Sequence, residues 1–443
     1  MKGGSYDIIL TSRPPAQKGS CFVMSPSLAI GGGPTLRTRP FPEWPVSDDS
    51  DRERLRQVLD ARVWSSDGPF ERQFERAFAE RHDALDAVAV ANGTVSLLLC
   101  LRALGIRPSD EVIVPALTWT AAATCVIEAN AVPVFADVDA RTFCIDPTSV
   151  ESRITRRTVA IMPVHLYSHM ADMDAVQRIA ERHHLAVIED CAHAHGARWR
   201  GLSAGALGDM GSFSFQSSKV MTAGEGGAVI SKERKYLDAV YSQKNCGRHR
   251  PERGAPVFGA NHRMTEFQSA LLLGQLARLD EQRKRRDRAL ERLRRLVAEL
   301  PGISLLPPQP DVTERPQYRS SFAYDRPLAK GIPLPRFVEA VRAEGIPVER
   351  TYPVVYHNAL YSVDGLTWYG GDRSALRANR CPQAERISES AGFTLAHPVL
   401  LGSDEDVDDV AKAMQKVLEH PQEAADLKSR LGATSRDLLR SFG

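Results

Sequence analysis

Between residues 84 and 231 the chain alternates short apolar runs with stretches whose apolar residues recur every three or four positions. The runs at 84–91, 110–116, 131–139, 158–167, 185–193, 210–215 and 226–231 read as strands. The stretches at 93–104, 120–130 and 171–184 read as helices between them. Strands alternating with helices predict a mostly parallel, doubly wound α/β sheet, and wholly apolar strands fit one covered on both faces. Beyond this block, 279–300 reads as one long helix. Its basic run is interleaved with acidic residues at short spacing, the pattern of a solvated, salt-bridged face. From about 300 onward the pattern turns to α+β, with a strand at 318–325 and helices at 333–345 and 404–420. These features divide the chain into an N-terminal extension (1–39), a large domain (40–285) and a smaller C-terminal α+β domain (286–443). The extension carries Gly, Ser and Pro with little periodicity and is expected to be largely disordered; translation from Met24 is an accompanying expectation.

Composition narrows the class. The 443 residues suffice for two or three domains, and 43% hydrophobic with 25% charged residues is ordinary for a globular protein. A formal charge of +2 offers no electrostatic ground for nucleic-acid or membrane partners. The seven cysteines are scattered, without zinc-type spacing, which fits a reducing cytoplasm.

Ligands of open α/β sheets bind beyond the carboxyl ends of the strands. That rule selects His165 and Tyr167, Glu189 and Asp190, Trp119, and Lys219 in "FSFQSSKVMTAGEGG". Each has a plainer reading: Asp190 as a helix cap, Trp119 as core, His165 as a hydrogen-bonded buried histidine. "ANGTVSLLL" adds a helix start at Gly93 and Thr94, where free amides and the helix dipole favour a phosphate. The "GEGG" at 224–227 lacks the Walker ending and reads as a turn. A phosphate site, an amine nucleophile, an aromatic plate and a buried carboxylate together are what pyridoxal 5′-phosphate (PLP) requires.

The segments "NGTVSL", "DEVIVPALTW", "PVFADVD", "IMPVHLYSHMADMDAV", "VIEDCAHAHGARWRG", "GDMGSFSFQSSKVMTAGEGGAV" and "GANHRMTEFQSALLLGQLARLDE" resemble the DegT/DnrJ/EryC1/StrS aminotransferases. These are fold-type I PLP enzymes acting on keto sugars and keto cyclitols. The resemblance runs from about Pro40 to the C-terminus and is strongest over 90–280. It implies that Lys219 is the residue joined to the cofactor and Asp190 the acid on its ring nitrogen. Trp119 falls where an aromatic covers the ring, and Gly93, Thr94 and Ser214 match phosphate-binding positions. Asn261 matches an asparagine that reaches the neighbouring subunit's cofactor, which implies a homodimer with shared active sites.

Finer features point to a branch. His193 stands where many relatives carry Gln, as in 3-amino-5-hydroxybenzoate (AHBA) synthases. Gln216 stands where nucleotide-sugar aminotransferases usually have His. The stretch 116–147 is similar to glutamine-dependent scyllo-inosose and 2-deoxy-scyllo-inosose aminotransferases of aminoglycoside pathways, whereas "NCGRHRPER" is similar to AHBA synthases. The resemblance therefore implies transfer of an amino group from L-glutamine or glutamate to a keto cyclitol. An AHBA-like route to an aromatic amine and a nucleotide keto-sugar acceptor are the alternatives. Tyr167, Gln216, Arg248 and His357 are the expected substrate contacts. A PLP dehydratase is disfavoured by the lysine at 219, and a cofactor-binding regulator by the absence of a helix-turn-helix segment.

Overall fold

The structure, a computed structural model, describes residues 27–250, 257–371, 373–376 and 380–426. Its centre is a seven-stranded sheet. In chain order the strands are β1 (Asp86–Val90), β2 (Glu111–Pro115), β3 (Val132–Ala136), β4 (Thr158–Ile161), β5 (Ala186–Asp190), β6 (Met210–Ser214) and β7 (Gly227–Ser231). Their spatial order is β1-β7-β6-β5-β4-β2-β3, and only β7 runs antiparallel to its neighbours. The all-buried patterns of β2, β6 and β7 follow from helices lying against both faces. Every strand and helix expected between 84 and 231 is present, with strand ends trimmed where the backbone turns.

The long helix departs from expectation. It runs Glu266–Val297, thirteen residues ahead of the expected start. Thr265 and Gln268 form a capping box at its N-terminus, and the "ALLLGQLARL" segment packs Leu272 and Leu279 into the main core. The charged run marks only the second half, whose Leu290, Leu293 and Val297 enter a second core. One helix thus ties both cores together.

The second core lies under a four-stranded antiparallel sheet of β8 (Ile303–Leu305), β9 (Arg319–Tyr324), β10 (Val348–Arg350) and β11 (Gly392–Ala396), in the order β8-β9-β11-β10. Between β10 and β11 the chain returns to the first core, burying Tyr352, Val355, Tyr361 and Cys381 there. Residues 27–39 of the N-terminal segment are ordered against the second core. Leu28 is buried there, and the Glu344 carboxylate accepts the Ala29 and Leu36 amides at 2.8 and 2.9 Å. The expectations for residues 1–26, Met24 included, lie outside the described residues. Among the described residues no helix is long and apolar enough to cross a membrane.

Candidate active site

The carboxyl ends of β2, β5 and β6 open onto a cavity of about 490 Å³, within the range of roughly 300–1,000 Å³ usual for small ligands. Eight of the residues expected from the sequence line it: Gly93, Thr94, Trp119, Asp190, His193, Ser214, Gln216 and Lys219.

Lys219 ends a turn over 216–219 in which its amide donates to the Gln216 carbonyl (2.9 Å). Its side chain is 9% exposed, and Nζ lies 4.4 Å from the centre of the Tyr318 ring. Among the described residues no carboxylate comes within salt-bridge distance of that nitrogen. The contrast with Lys244 is informative. That lysine is buried more completely, but its Nζ donates to Glu71 Oε1 (2.5 Å) and the Ala89 carbonyl (2.9 Å). Lys244 is a structural strut, whereas Lys219 keeps a free amine facing the cavity.

Asp190 ends β5. Its Oδ1 accepts the Ala192 amide at 3.0 Å. Burial pushes its carboxyl above the usual range, against that hydrogen bond and the nearby Lys219 and His165. Such a carboxylate favours a cationic partner. The preceding residue, Glu189, points away: it accepts the amides of Gly205, Leu207 and Gly208 and sits 3.0 Å from His165 Nε2. Since His165 Nδ1 accepts the Ala171 amide, Nε2 is the donor toward Glu189. His165, Glu189 and Cys191 cluster at metal-ligand spacing, yet both histidine nitrogens and both carboxylate oxygens have protein partners. His165 is thus a hydrogen-bonded buried histidine, outside the cavity.

The helix Gly93–Ala103 starts at the cavity wall. Asn92 caps it by accepting the Val95 amide at 2.9 Å, which leaves the first two amides, of Gly93 and Thr94, without helical partners. Glycine is required there by close approach: a Cβ at 93 would lie 2.5 Å from Ser214 Cβ. A free-amide cradle, an unpaired amine and a buried carboxylate share one opening, so the residues present fit a phosphorylated pyridine aldehyde.

His193 is buried and stacked on Tyr318 at 4.0 Å, and its Nδ1 accepts the Tyr167 amide at 3.2 Å. Burial pushes its pKa well below the ordinary value, so it meets the cavity as a neutral Nε2–H donor. Gln216 folds back on its own turn, its Oε1 accepting the Ser218 amide (2.9 Å) and hydroxyl (2.6 Å). Four expected residues lie elsewhere. Tyr167 is buried behind His193, its hydroxyl accepting the Tyr352 amide at 2.8 Å. Arg248, His357 and Asn261 are exposed and do not line the cavity of the single chain. Residues that sequence reasoning missed include Thr118, Ser218, Tyr318 and Tyr352. The two tyrosines come from the segments flanking β9 and β10, more than 95 residues beyond Lys219, and no local motif announces them.

Residues 45–415 match the model of the DegT/DnrJ/EryC1/StrS aminotransferase family. The chain belongs to this family. It is 41% identical over 412 residues or more to curated relatives, one being the L-glutamine:2-deoxy-scyllo-inosose aminotransferase of Streptomyces lividus, where the match covers 90% of this chain and 99% of the relative. Among solved structures, AHBA synthase superposes with a TM-score of 0.78 at 34% identity, over 87% of this chain and all of that one. DesI, solved in the presence of its TDP-sugar product, superposes with a TM-score of 0.77 at 29% identity, over 90% and 97%. The protein is an aminotransferase, and its mostly parallel sheet is the one these neighbours share.

Proposed function

We propose that this aminotransferase uses PLP to move the amino group of L-glutamine, or glutamate, onto a keto cyclitol such as scyllo-inosose or 2-deoxy-scyllo-inosose in aminoglycoside-type biosynthesis. The observation that carries the reading is the carboxylate-free Lys219 amine in one cavity with Asp190 and the Gly93 helix start. The acceptor class rests on the roughly 40% identity to the inosose aminotransferases of aminoglycoside producers.

Bound there, PLP supplies an aldehyde carbon that carries nitrogen between substrates and a ring that takes up electrons. Gly93 and Thr94, with Ser214, would hold its phosphate, Trp119 would cover a ring face, and His193 would donate from Nε2 to the ring oxygen. Asp190 would pair with the protonated ring nitrogen; burial that disfavours a lone carboxylate strengthens one facing a cation. The Lys219 amine carries protons to and from the reacting carbons. Tyr167 supports His193 from behind and Gln216 borders the acceptor, while Arg248 and His357 would act only from the outer rim or across a subunit boundary. Asn261 shares a loop with Phe258, which is 92% exposed. An apolar ring so placed supports a homodimer in which this loop reaches the partner's cofactor. Both substrates are small molecules, and the reading places the enzyme in the cytoplasm, away from nucleic acid and membrane.

A second reading, an AHBA-like route to an aromatic amine, is favoured by the likeness to AHBA synthase and by His193. The deciding experiment is mass spectrometry of products after incubation with PLP, L-glutamine and separate keto cyclitols, nucleotide keto sugars and the aromatic precursor. An aminated cyclitol is expected; amination of the nucleotide sugar alone, or of none, refutes the assignment.

A further inference from the structure

Tyr318 enters the cavity from the second domain, on the segment leading into β9. It is 4% exposed, its ring lies under Lys219 Nζ, and its hydroxyl is 3.0 Å from Ser218 Oγ. Ser218 donates its one hydroxyl proton to Gln216 Oε1, so in the neutral site the Tyr318 phenol donates toward Ser218. The Tyr352 phenol also hydrogen-bonds Tyr318, and the Arg319 guanidinium lies 5.5 Å from its ring, itself paired with Glu349 at 2.7 Å.

Transfer to a ketone needs an acid at the keto oxygen as well as a base at carbon, and the cavity has few candidates. In the proposed function Asp190 is committed to the ring nitrogen. His193 and His397, the histidines whose rings lie nearest Tyr318, are pushed well below ordinary values by burial. Burial pushes the Tyr352 phenol well above its ordinary value. Glu128 and Glu225 are exposed. Tyr318 is different. Burial alone would raise it, but the charges of Lys219 and Arg319 and the Ser218 hydrogen bond outweigh burial and bring it down to about 8.

Resting on the proposed function, we propose that Tyr318 is a second proton-transferring residue of this site, giving its phenol proton to the keto oxygen of the acceptor while Lys219 serves carbon. As the amine nitrogen bonds to the carbonyl carbon, the C=O π pair moves to oxygen and that oxygen takes the phenol proton. The phenolate, held by Ser218, Tyr352 and Arg319, would then take back the proton that the newly bonded nitrogen gives up. Atoms and charge balance, and no oxidant or reductant enters.

The test uses the full chain, first without PLP and then loaded. Near-ultraviolet absorbance of the cofactor-free protein should show one tyrosine ionising near pH 8, absent in Tyr318→Phe and moved upward in Ser218→Ala. In the loaded enzyme, turnover of the keto acceptor should fall along an alkaline limb that moves with that tyrosine in Ser218→Ala. Tyr318→Phe should lose about a hundredfold or more in kcat with PLP affinity unchanged. The proposal is overturned if the low tyrosine step survives Tyr318→Phe, if kcat stays within about threefold, or if limb and step part company in Ser218→Ala. Should Tyr318→Phe fail to fold, the Ser218→Ala comparison decides alone. A wild type that turns over no keto acceptor yet keeps the tyrosine step refutes the proposed function; turnover without the step refutes this proposal only.

Discussion

Gly93→Ala is the sharpest probe of the proposed phosphate cradle, because its effect follows from how closely the helix start approaches Ser214. The added Cβ would lie 2.5 Å from Ser214 Cβ and 3.1 Å from Ser214 Cα, which belongs to a fully buried strand. Carbon atoms rest at about 3.5–4.0 Å, so the helix start must retreat by about 1–1.5 Å. That movement carries away the free amides of residues 93 and 94 and stretches their bonds to a phosphate. A hydrogen bond to a charged group contributes about 1.5–3 kcal/mol, so losing one lowers PLP affinity about tenfold to a hundredfold. Overpacking should also destabilise the protein by about 1–3 kcal/mol. Gly105→Ala, just beyond the other end of the same helix, is the control. Its φ of +74° makes alanine strained by about 1–2 kcal/mol, but nothing lies within 4 Å of the new methyl. Titration of cofactor-free protein with PLP, followed by absorbance, distinguishes the two. A Gly93→Ala affinity within twofold of wild type, or an equal loss in Gly105→Ala, would show that this helix start does not hold the phosphate.

Lys219→Ala should abolish transamination together with the visible band of lysine-linked cofactor, and retained turnover with any donor would remove Lys219 from the chemistry. Asp190→Asn should lower kcat yet stabilise the cofactor-free protein. A raised folded pKa means that Asp190's contribution is intact at low pH and lost as pH rises through the folded value. The variant's advantage in urea should therefore grow from pH 4 to pH 8, and a shrinking gap would contradict the burial argument. Glu344→Ala removes a fully buried carboxylate that accepts two N-terminal amides and the Lys416 ammonium at 2.8 Å. A loss of about 3–5 kcal/mol and faster proteolysis near residues 27–37 are expected; unchanged cleavage would mean that this anchor does not hold the segment.

Much of the site was legible because its parts follow local rules. A strand's carboxyl end delivers Asp190, a strand–turn delivers Lys219, and a glycine-led helix start delivers Gly93 and Thr94. What local rules cannot supply is which of two equally apolar surroundings leaves a lysine unpaired. Lys244 ends the helix Arg234–Lys244 and is buried more completely than Lys219, and only its packing against Glu71 and Glu75 separates the two roles. His165 illustrates the converse: it stands beyond a strand end, but Glu189 takes it as a buried partner at 3.0 Å, outside the cavity.

From the residue pattern alone came the alternation of strands and helices, the doubly wound sheet and the expectation of a cofactor at its edge, since hydrophobic periodicity and short motifs are properties of neighbours along the chain. Tertiary structure decided that the long helix begins at Glu266 and joins two cores, that residues 27–39 pack on the second core, and that Tyr318 and Tyr352 line the cavity that holds Lys219. Those outcomes depend on surfaces far apart in sequence that meet only when both domains are folded, and burial and charge at the meeting point then set the acidity of the groups placed there.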